Sequence, residues 1–147
     1  MIDPERPDYA DTPASEHRAP FDYAPADAQA EPLVSIVTPF FNTGAVFHET
    51  ARSVLRGSLQ AWEWLIVNDA STSGESLSVL AHYRHGDDRI RVIDLPRNSG
   101  PSAARNAGFA RARAPFVLQL DSDNLIEPTA AAKWWWYLET HPGAGFV

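Results

Sequence analysis

Phe116-Val117-Leu118-Gln119-Leu120 runs straight into Asp121-Ser122-Asp123-Asn124. An apolar, strand-like stretch thus ends on two carboxylates, one residue apart, where a strand would leave a sheet. Side chains alternate along a strand, so Asp121 and Asp123 emerge on one side while Ser122 points away. Two acidic oxygen donors at a strand end suit a hard divalent cation, Mg²⁺ or Mn²⁺, that takes further oxygens from water and a substrate phosphate. The same residues also read as a plain turn, because Asp, Ser and Asn are common turn formers. At this point both readings stand.

Upstream, the pattern recurs. Leu33-Val34-Ser35-Ile36-Val37 reads as a strand that stops at Thr38-Pro39, since proline cannot donate to a ladder. After the Asn42-Thr43-Gly44 turn, Val46, Phe47, Ala51, Val54 and Leu55 recur at helical spacing and end near Gly57. Trp64-Leu65-Ile66-Val67 forms a second strand that enters Asn68-Asp69-Ala70-Ser71-Thr72. A second helix carries Leu77, Val79, Leu80 and Tyr83, and a third strand follows at Ile90-Arg91-Val92-Ile93. Pro96 to Pro101 is dense in breakers and reads as loop. Ser102 is placed to cap a third helix, whose Ala103, Ala104, Ala107 and Ala110 suit close packing on a sheet. Pro115 closes that unit before the aspartate strand. A last helix is expected from about Glu127 to Thr140, with Pro128 in its first turn. Its Trp134, Trp135 and Trp136 cannot all face one core, and two buried indoles with one partly exposed is the expectation.

Alternating strands and helices predict an α/β fold with a mostly parallel, Rossmann-like sheet and flanking helices. Ligands of such sheets bind outside the carboxyl ends of the strands. The polar clusters at 39–42, 68–71, 98–100 and 121–124 should therefore meet on one rim. That convergence is the argument for a site.

Composition narrows the function. The chain has 147 residues, a formal net charge of −7 and no cysteine. Residues 1–30 hold seven acids against two arginines. Rich in Pro, Ala and Asp without an apolar period, residues 1–31 read as a disordered leader, and 32–147 as one domain. The absence of a basic face argues against a nucleic acid partner. Lack of cysteine excludes disulfides and thiolate metal sites. Neither a secretory signal nor a membrane-spanning apolar run is present, so the expectation is a soluble, cytoplasmic protein, or one peripheral to the inner face of a membrane. His48, His82, His85 and His141 lack paired ligand spacing and read as surface residues. A phosphoacceptor receiver-like domain would need a lysine beside its site, whereas the only lysine, Lys133, lies in the last helix. No Gly-x-Gly-x-x-Gly follows the first strand, which disfavours an oxidoreductase.

Four segments in this order resemble the N-terminal half of a family 2 glycosyltransferase of the GT-A type. They are Val34 to Asn42, Leu65 to Thr72, Asn98 to Gly108 and Leu120 to Asn124. The resemblance implies a nucleotide-sugar-dependent, inverting transferase with a UDP-sugar as donor and Mn²⁺ or Mg²⁺ as cofactor. It places Phe41 and Pro39 beside the nucleotide base and lets Asp69 accept from a base N–H. Asn68 stands where the family has the first acid of an Asp-Asp pair. Arg105 matches a basic residue that pairs with diphosphate or steadies the rim carboxylates. Asp121 is assigned to ribose and metal, and Asp123 to the metal directly. Plainer roles remain for each: Phe41 as cover for the sheet edge, Asp69 as a cap or Asx turn, Arg105 as a surface ion pair.

The same resemblance puts the catalytic base beyond residue 147, so the chain reads as an apparently truncated, donor-binding half. Two alternatives follow from that expectation. One is a transferase completed by a partner chain or by self-association; the other is a nucleotide-sugar-binding module without turnover. The acceptor is not legible.

Overall fold

In the computed structural model, residues 31–147 are described, so the expected leader lies outside the described residues except for Glu31. Four strands, β1 (Val34–Phe40), β2 (Trp62–Asn68), β3 (Ile90–Asp94) and β4 (Phe116–Gln119), alternate with helices α1 (Phe47–Leu55), α2 (Gly74–Arg84) and α3 (Pro101–Phe109). Helix α4 (Ala130–Thr140) follows β4. The sheet is parallel throughout, in the order β3-β2-β1-β4. The predicted α/β architecture is therefore the observed one. Chain order reverses between β1 and β4, and the loops after these strands diverge there, leaving a crevice.

Strand alternation sorts the side chains into two layers. Val34, Ile36 and Phe40 of β1 and Trp62, Trp64 and Ile66 of β2 join Phe47, Ala51, Val54, Val79, Leu80 and Tyr83 in one core. Phe47 is its hub, edge-on to Phe40 at 5.1 Å and to Tyr83 at 5.2 Å. Val37 and Val67 face the other way, against α3. A Cβ on Gly108 would collide with Val37 Cγ1 and lie 3.2 Å from Val67 Cγ2. Glycine there lets α3 sit close to the sheet. Every residue of β2 is buried, as a central parallel strand covered on both faces requires.

Several boundaries differ from expectation, each for a local reason. Pro39 does not end β1; it lies within the strand, opposite Val67. The carbonyl of Val37 accepts from Leu120 N, so Val37 turns its backbone groups toward β4. Pro39, two residues on, faces the same way, but β4 has ended at Gln119, so its missing N–H leaves no gap. Helix α3 is capped by Gly100 and not Ser102, because Pro101 already occupies its first turn. Helix α4 begins at Ala130, and Pro128 lies in the preceding turn, where Ala130 N bonds Glu127 O. Val46, Leu55 and Leu77 point outward. Trp134 and Trp136 are exposed, and only Trp135, itself half-buried, packs on the core cluster, so none of the three indoles is fully inside. The buried residues of α4 are the alanines Ala130 and Ala132, so the bulky side chains are left to its other faces.

At the amino end of the sheet a carboxylate is buried. Glu63 is 1% exposed and receives hydrogen bonds from Ser35 Oγ (2.7 Å), Arg113 N (2.6 Å) and Arg113 Nε (2.9 Å). Ser35 Oγ in turn accepts from Ala114 N. The network ties β1 and β2 to the segment that enters β4. Among the described residues no helix is long and apolar enough to cross a membrane.

Candidate donor site at the strand ends

At the carboxyl ends of the strands lies an open cavity of about 470 Å³. Pro39, Phe41, Asp69, Arg105, Asp121 and Asp123 all line it, together with Phe40, Asn98, Gly100, Pro101 and Ser122. The loops expected to converge thus do so, over the crevice between β1 and β4.

The β1 loop is built around Asn42, whose backbone takes φ +50°, a conformation that asparagine tolerates better than most residues. Its side-chain oxygen accepts from Thr72 N and Ser73 N, both at 2.9 Å. This pins the β1 exit to the start of α2, whose own cap is Ser73. Phe40 goes inward at 0% exposure while Phe41, 48% exposed, presents its ring to the cavity mouth. The alternation of the strand produces that division.

The Asp-Ser-Asp segment takes the turn reading. It is a turn, with Asn124 N bonded to Asp121 O, and both carboxylates still line the same cavity. Ser122 is its anchor. Its hydroxyl meets Thr43 Oγ1 at 2.7 Å, and its carbonyl accepts from Thr50 Oγ1 at 3.0 Å. Asp121 Oδ1 pairs with Arg105 at 2.6 Å, with side chains 41% and 23% exposed. Its other oxygen and the exposed Asp123 carboxylate remain uncommitted among the described residues. No group of three or more His, Cys, Asp or Glu placed to hold a metal occurs among them. Two all-oxygen donors at an open rim nevertheless fit a hard cation that completes its shell from water and a ligand.

Asp69 is 3% exposed and does something the sequence did not suggest. It neither caps α2 nor closes an Asx turn. One oxygen accepts from Ser99 N at 2.7 Å and the other from Gly100 N at 2.8 Å, on the turn that starts α3. A carboxylate has lone pairs for further donors, so these bonds do not exhaust it. Ala70, immediately after, has φ +57° and turns the chain away. Asn68 faces away from the cavity: it donates to Asp94 and accepts from Ser71 N, both at 2.9 Å. Burial pushes Asp94 up, but hydrogen bonds from Asn68 and Arg84 outweigh it and hold the group below the ordinary carboxylate range. Sequence reasoning missed Thr43, Thr50 and Ser99, because anchoring through single hydroxyls and backbone amides leaves no pattern. His48, read as a surface residue, is half-buried and bonded through Nδ1 to Tyr83 Oη at 2.8 Å.

Comparison with known proteins bears on the family and the fold. The family model for glycosyl transferase family 2 matches residues 35–147. The chain is 43% identical over 94 residues to the putative teichuronic acid biosynthesis glycosyltransferase TuaG of Bacillus subtilis, covering 64% of this chain and 37% of TuaG. It is 37% identical over 101 residues to the poly(ribitol-phosphate) beta-N-acetylglucosaminyltransferase TarP of Staphylococcus aureus, covering 66% and 30%. The crystal structure of S. aureus TarS 1-349 in complex with UDP-GlcNAc superposes with a TM-score of 0.67 at 27% identity, covering 74% of this chain and 32% of that one. A complex of the same protein with UDP gives the same score. The chain therefore spans about a third of the length of these relatives. Relatives named as transferases do not favour a module without turnover. The chain belongs to glycosyl transferase family 2.

Proposed function

We propose that residues 32–147 of this family 2 chain form the donor-binding part of a transferase. The enzyme would move a sugar, with inversion, from a nucleotide diphosphate sugar to an acceptor hydroxyl. The observation that carries the proposal is the meeting of an exposed aromatic, a buried carboxylate, an arginine and two rim carboxylates in one cavity at the reversal of strand order. A UDP-sugar is the donor of choice, supported by TarS, which is solved with UDP and with UDP-GlcNAc.

Phe41 would stack on the base beside Pro39, and a lone pair of Asp69 would accept a base N–H. Arg105 would meet the diphosphate with its guanidinium fork. Asp123 and Asp121 would hold Mn²⁺ or Mg²⁺, and Asp121 would also face the ribose. When bound, the cation would neutralise charge on the departing diphosphate. Arg105 supplies positive charge to the same group, and its pairing with Asp121 keeps that side chain over the cavity before ligand arrives. Displacement at the anomeric carbon then needs the donor held still, which is the task of the anchored loops.

Titration calorimetry with UDP tests the proposal. Binding in the micromolar to millimolar range, about 4–8 kcal/mol, is expected with Mn²⁺. It should weaken at least about tenfold in EDTA or in Asp123→Ala, the loss expected when a charged contact goes. Equal affinity with and without metal would overturn the metal assignment, and no UDP binding at all would overturn the donor site.

A further inference from the structure

Asp69 is set where one side chain can govern two parts of the cavity. Its own backbone is fixed, because Asp69 N bonds Phe40 O at 2.8 Å and extends the β1–β2 ladder by one rung. From that fixed point its two oxygens hold the amides of Ser99 and Gly100. Bonds from backbone N–H to an ionised carboxylate are among the stronger hydrogen bonds a protein makes.

The residue so held is unusual. Gly100 has φ +86° and ψ 163°, a region essentially closed to residues with a Cβ. Nothing lies within 4 Å of where a Cβ would sit, so the restriction is torsional and not one of space. Directly after this turn Pro101 begins α3, and Gly100 O accepts the first helical bond, from Ala104 N at 3.1 Å. Arg105 follows on the first full turn and reaches Asp121. Helix α3 is thus held on its buried face by Ala104 and by the close approach of Gly108 to Val37 and Val67, and at its amino end by the clamp of Asp69 on residues 99–100. Arg105 lies between the clamp and Gly108. If the clamp is lost, the amino end of α3 can swing while Gly108 stays seated, and Arg105 moves with it.

We infer that Asp69 is a positioning residue for the phosphate end of the site: by holding the Ser99–Gly100 turn it sets Arg105, independently of any contact with a base. The inference rests on the donor-site reading above. It predicts that a change at Asp69 weakens binding of a ligand that has no base. Asp69→Asn keeps one acceptor oxygen but turns an amide NH₂ against a backbone N–H. Gly100→Ala leaves the carboxylate in place and breaks only the turn.

The test is calorimetry on the full chain with Mn²⁺ and inorganic pyrophosphate, beside UDP. Circular dichroism and urea unfolding check that each variant is folded. Asp69→Asn, Gly100→Ala and Arg105→Ala should each lose at least about tenfold in pyrophosphate affinity, a charged contact apiece. The decisive readout is coupling. Gly100→Ala combined with Arg105→Ala should be no weaker than Arg105→Ala alone, because both changes remove the same contact. A merely structural role for the turn would not produce that result.

If the two losses multiply, the turn does not act through Arg105 and the inference falls. It also falls if Asp69→Asn weakens UDP but leaves pyrophosphate untouched, since Asp69 then reads the base alone. Should Asp69→Asn not fold, the Gly100→Ala and Arg105→Ala coupling decides. A wild-type chain that binds UDP but not pyrophosphate would likewise overturn it. A wild-type chain that binds neither overturns the donor site itself, a different and recognisable failure.

Discussion

Two carboxylate–arginine pairs sit at opposite ends of the same sheet. At the amino end, Glu63 is 1% exposed, and Arg113 binds it from a side chain 56% exposed. At the carboxyl end the accessibility is reversed: Asp121 is 41% exposed and Arg105 23%. Glu63 is saturated, with Ser35, the Arg113 backbone and the Arg113 side chain bonded to its two oxygens and the Arg91 guanidinium 3.6 Å away. Asp121 has one partner and a free oxygen, and the Nε of Arg105 is covered without a partner among the described residues. A buried, fully bonded carboxylate has nothing left to offer a ligand, so its bonds serve the fold. A half-open pair with unused donors and acceptors keeps the capacity to exchange partners. Backbone geometry divides in the same way. All four positive-φ residues among those described, Asn42, Gly44, Ala70 and Gly100, lie in loops leaving the carboxyl ends of strands. Left-handed backbone thus collects at the end of the sheet where the candidate site lies.

The largest expected effect breaks the buried pair. Glu63→Ala strands the Ser35 hydroxyl and the Arg113 N–H, each at about 1–3 kcal/mol, so a loss of roughly 2–6 kcal/mol is expected in urea unfolding. The guanidinium groups of Arg113 and Arg91 add little because water reaches both. Acid should reveal the same group. Burial pushes the Glu63 carboxyl up, but the hydrogen bonds from Ser35 and Arg113 and the charge of Arg113 outweigh it and hold it below its ordinary 4.5. A depressed folded-state pKa stabilises the protein above the unfolded value, and that stability drains away as pH falls through the folded one. Urea midpoints of the wild type should therefore drop more steeply below about pH 4.5 than those of Glu63→Gln, which cannot titrate there. Parallel curves would show that Glu63 is not held as described.

Breaking the rim pair should invert that outcome. Arg105→Gln is expected to change stability by less than about 1 kcal/mol, the usual worth of an exposed ion pair. The same variant should weaken Mn²⁺-UDP at least about tenfold, through loss of a charged contact. A stability loss as large as that of Glu63→Ala would erase the contrast, and unchanged affinity would return Arg105 to its plainer role as a surface pair.

This division explains what could be read in the chain beforehand. Strand and helix order, the parallel sheet and the meeting of four polar clusters follow from hydrophobic period and breaker residues, which are local and repeated. The six expected residues that line the cavity were legible because each stands at a strand end or one turn into a helix. Glu63 was not, since it lies in the run Trp62-Glu63-Trp64 and its partners come from residues 35 and 113. Asp69 was legible as an acid at the rim but not as a clamp on residues 99 and 100, because a backbone amide has no letter in the sequence. Pro39 misled for a related reason: proline ends a strand only where a neighbour needs its N–H, and that depends on where β4 stops.

The smallest effect tests whether rim strain is merely tolerated. Ala70 holds φ +57°, where a residue with a Cβ is disfavoured by about 1–2 kcal/mol. Ala70→Gly removes that penalty but adds unfolded-chain freedom of about 0.5–1 kcal/mol, leaving a gain of roughly 0.5 kcal/mol. Ligand affinity should stay within about twofold, because Asp69 is placed by its bonds to Phe40, Ser99 and Gly100 rather than by its neighbour's torsion. Lower stability would mean that the Ala70 methyl contributes more by packing than its backbone costs. A gain in stability joined to a tenfold fall in UDP affinity would be more informative. It would show that the strained residue, and not the bonds of Asp69, keeps the carboxylate on the turn before α3, and that the rim is stiff because the chain after β2 is bent against its preference.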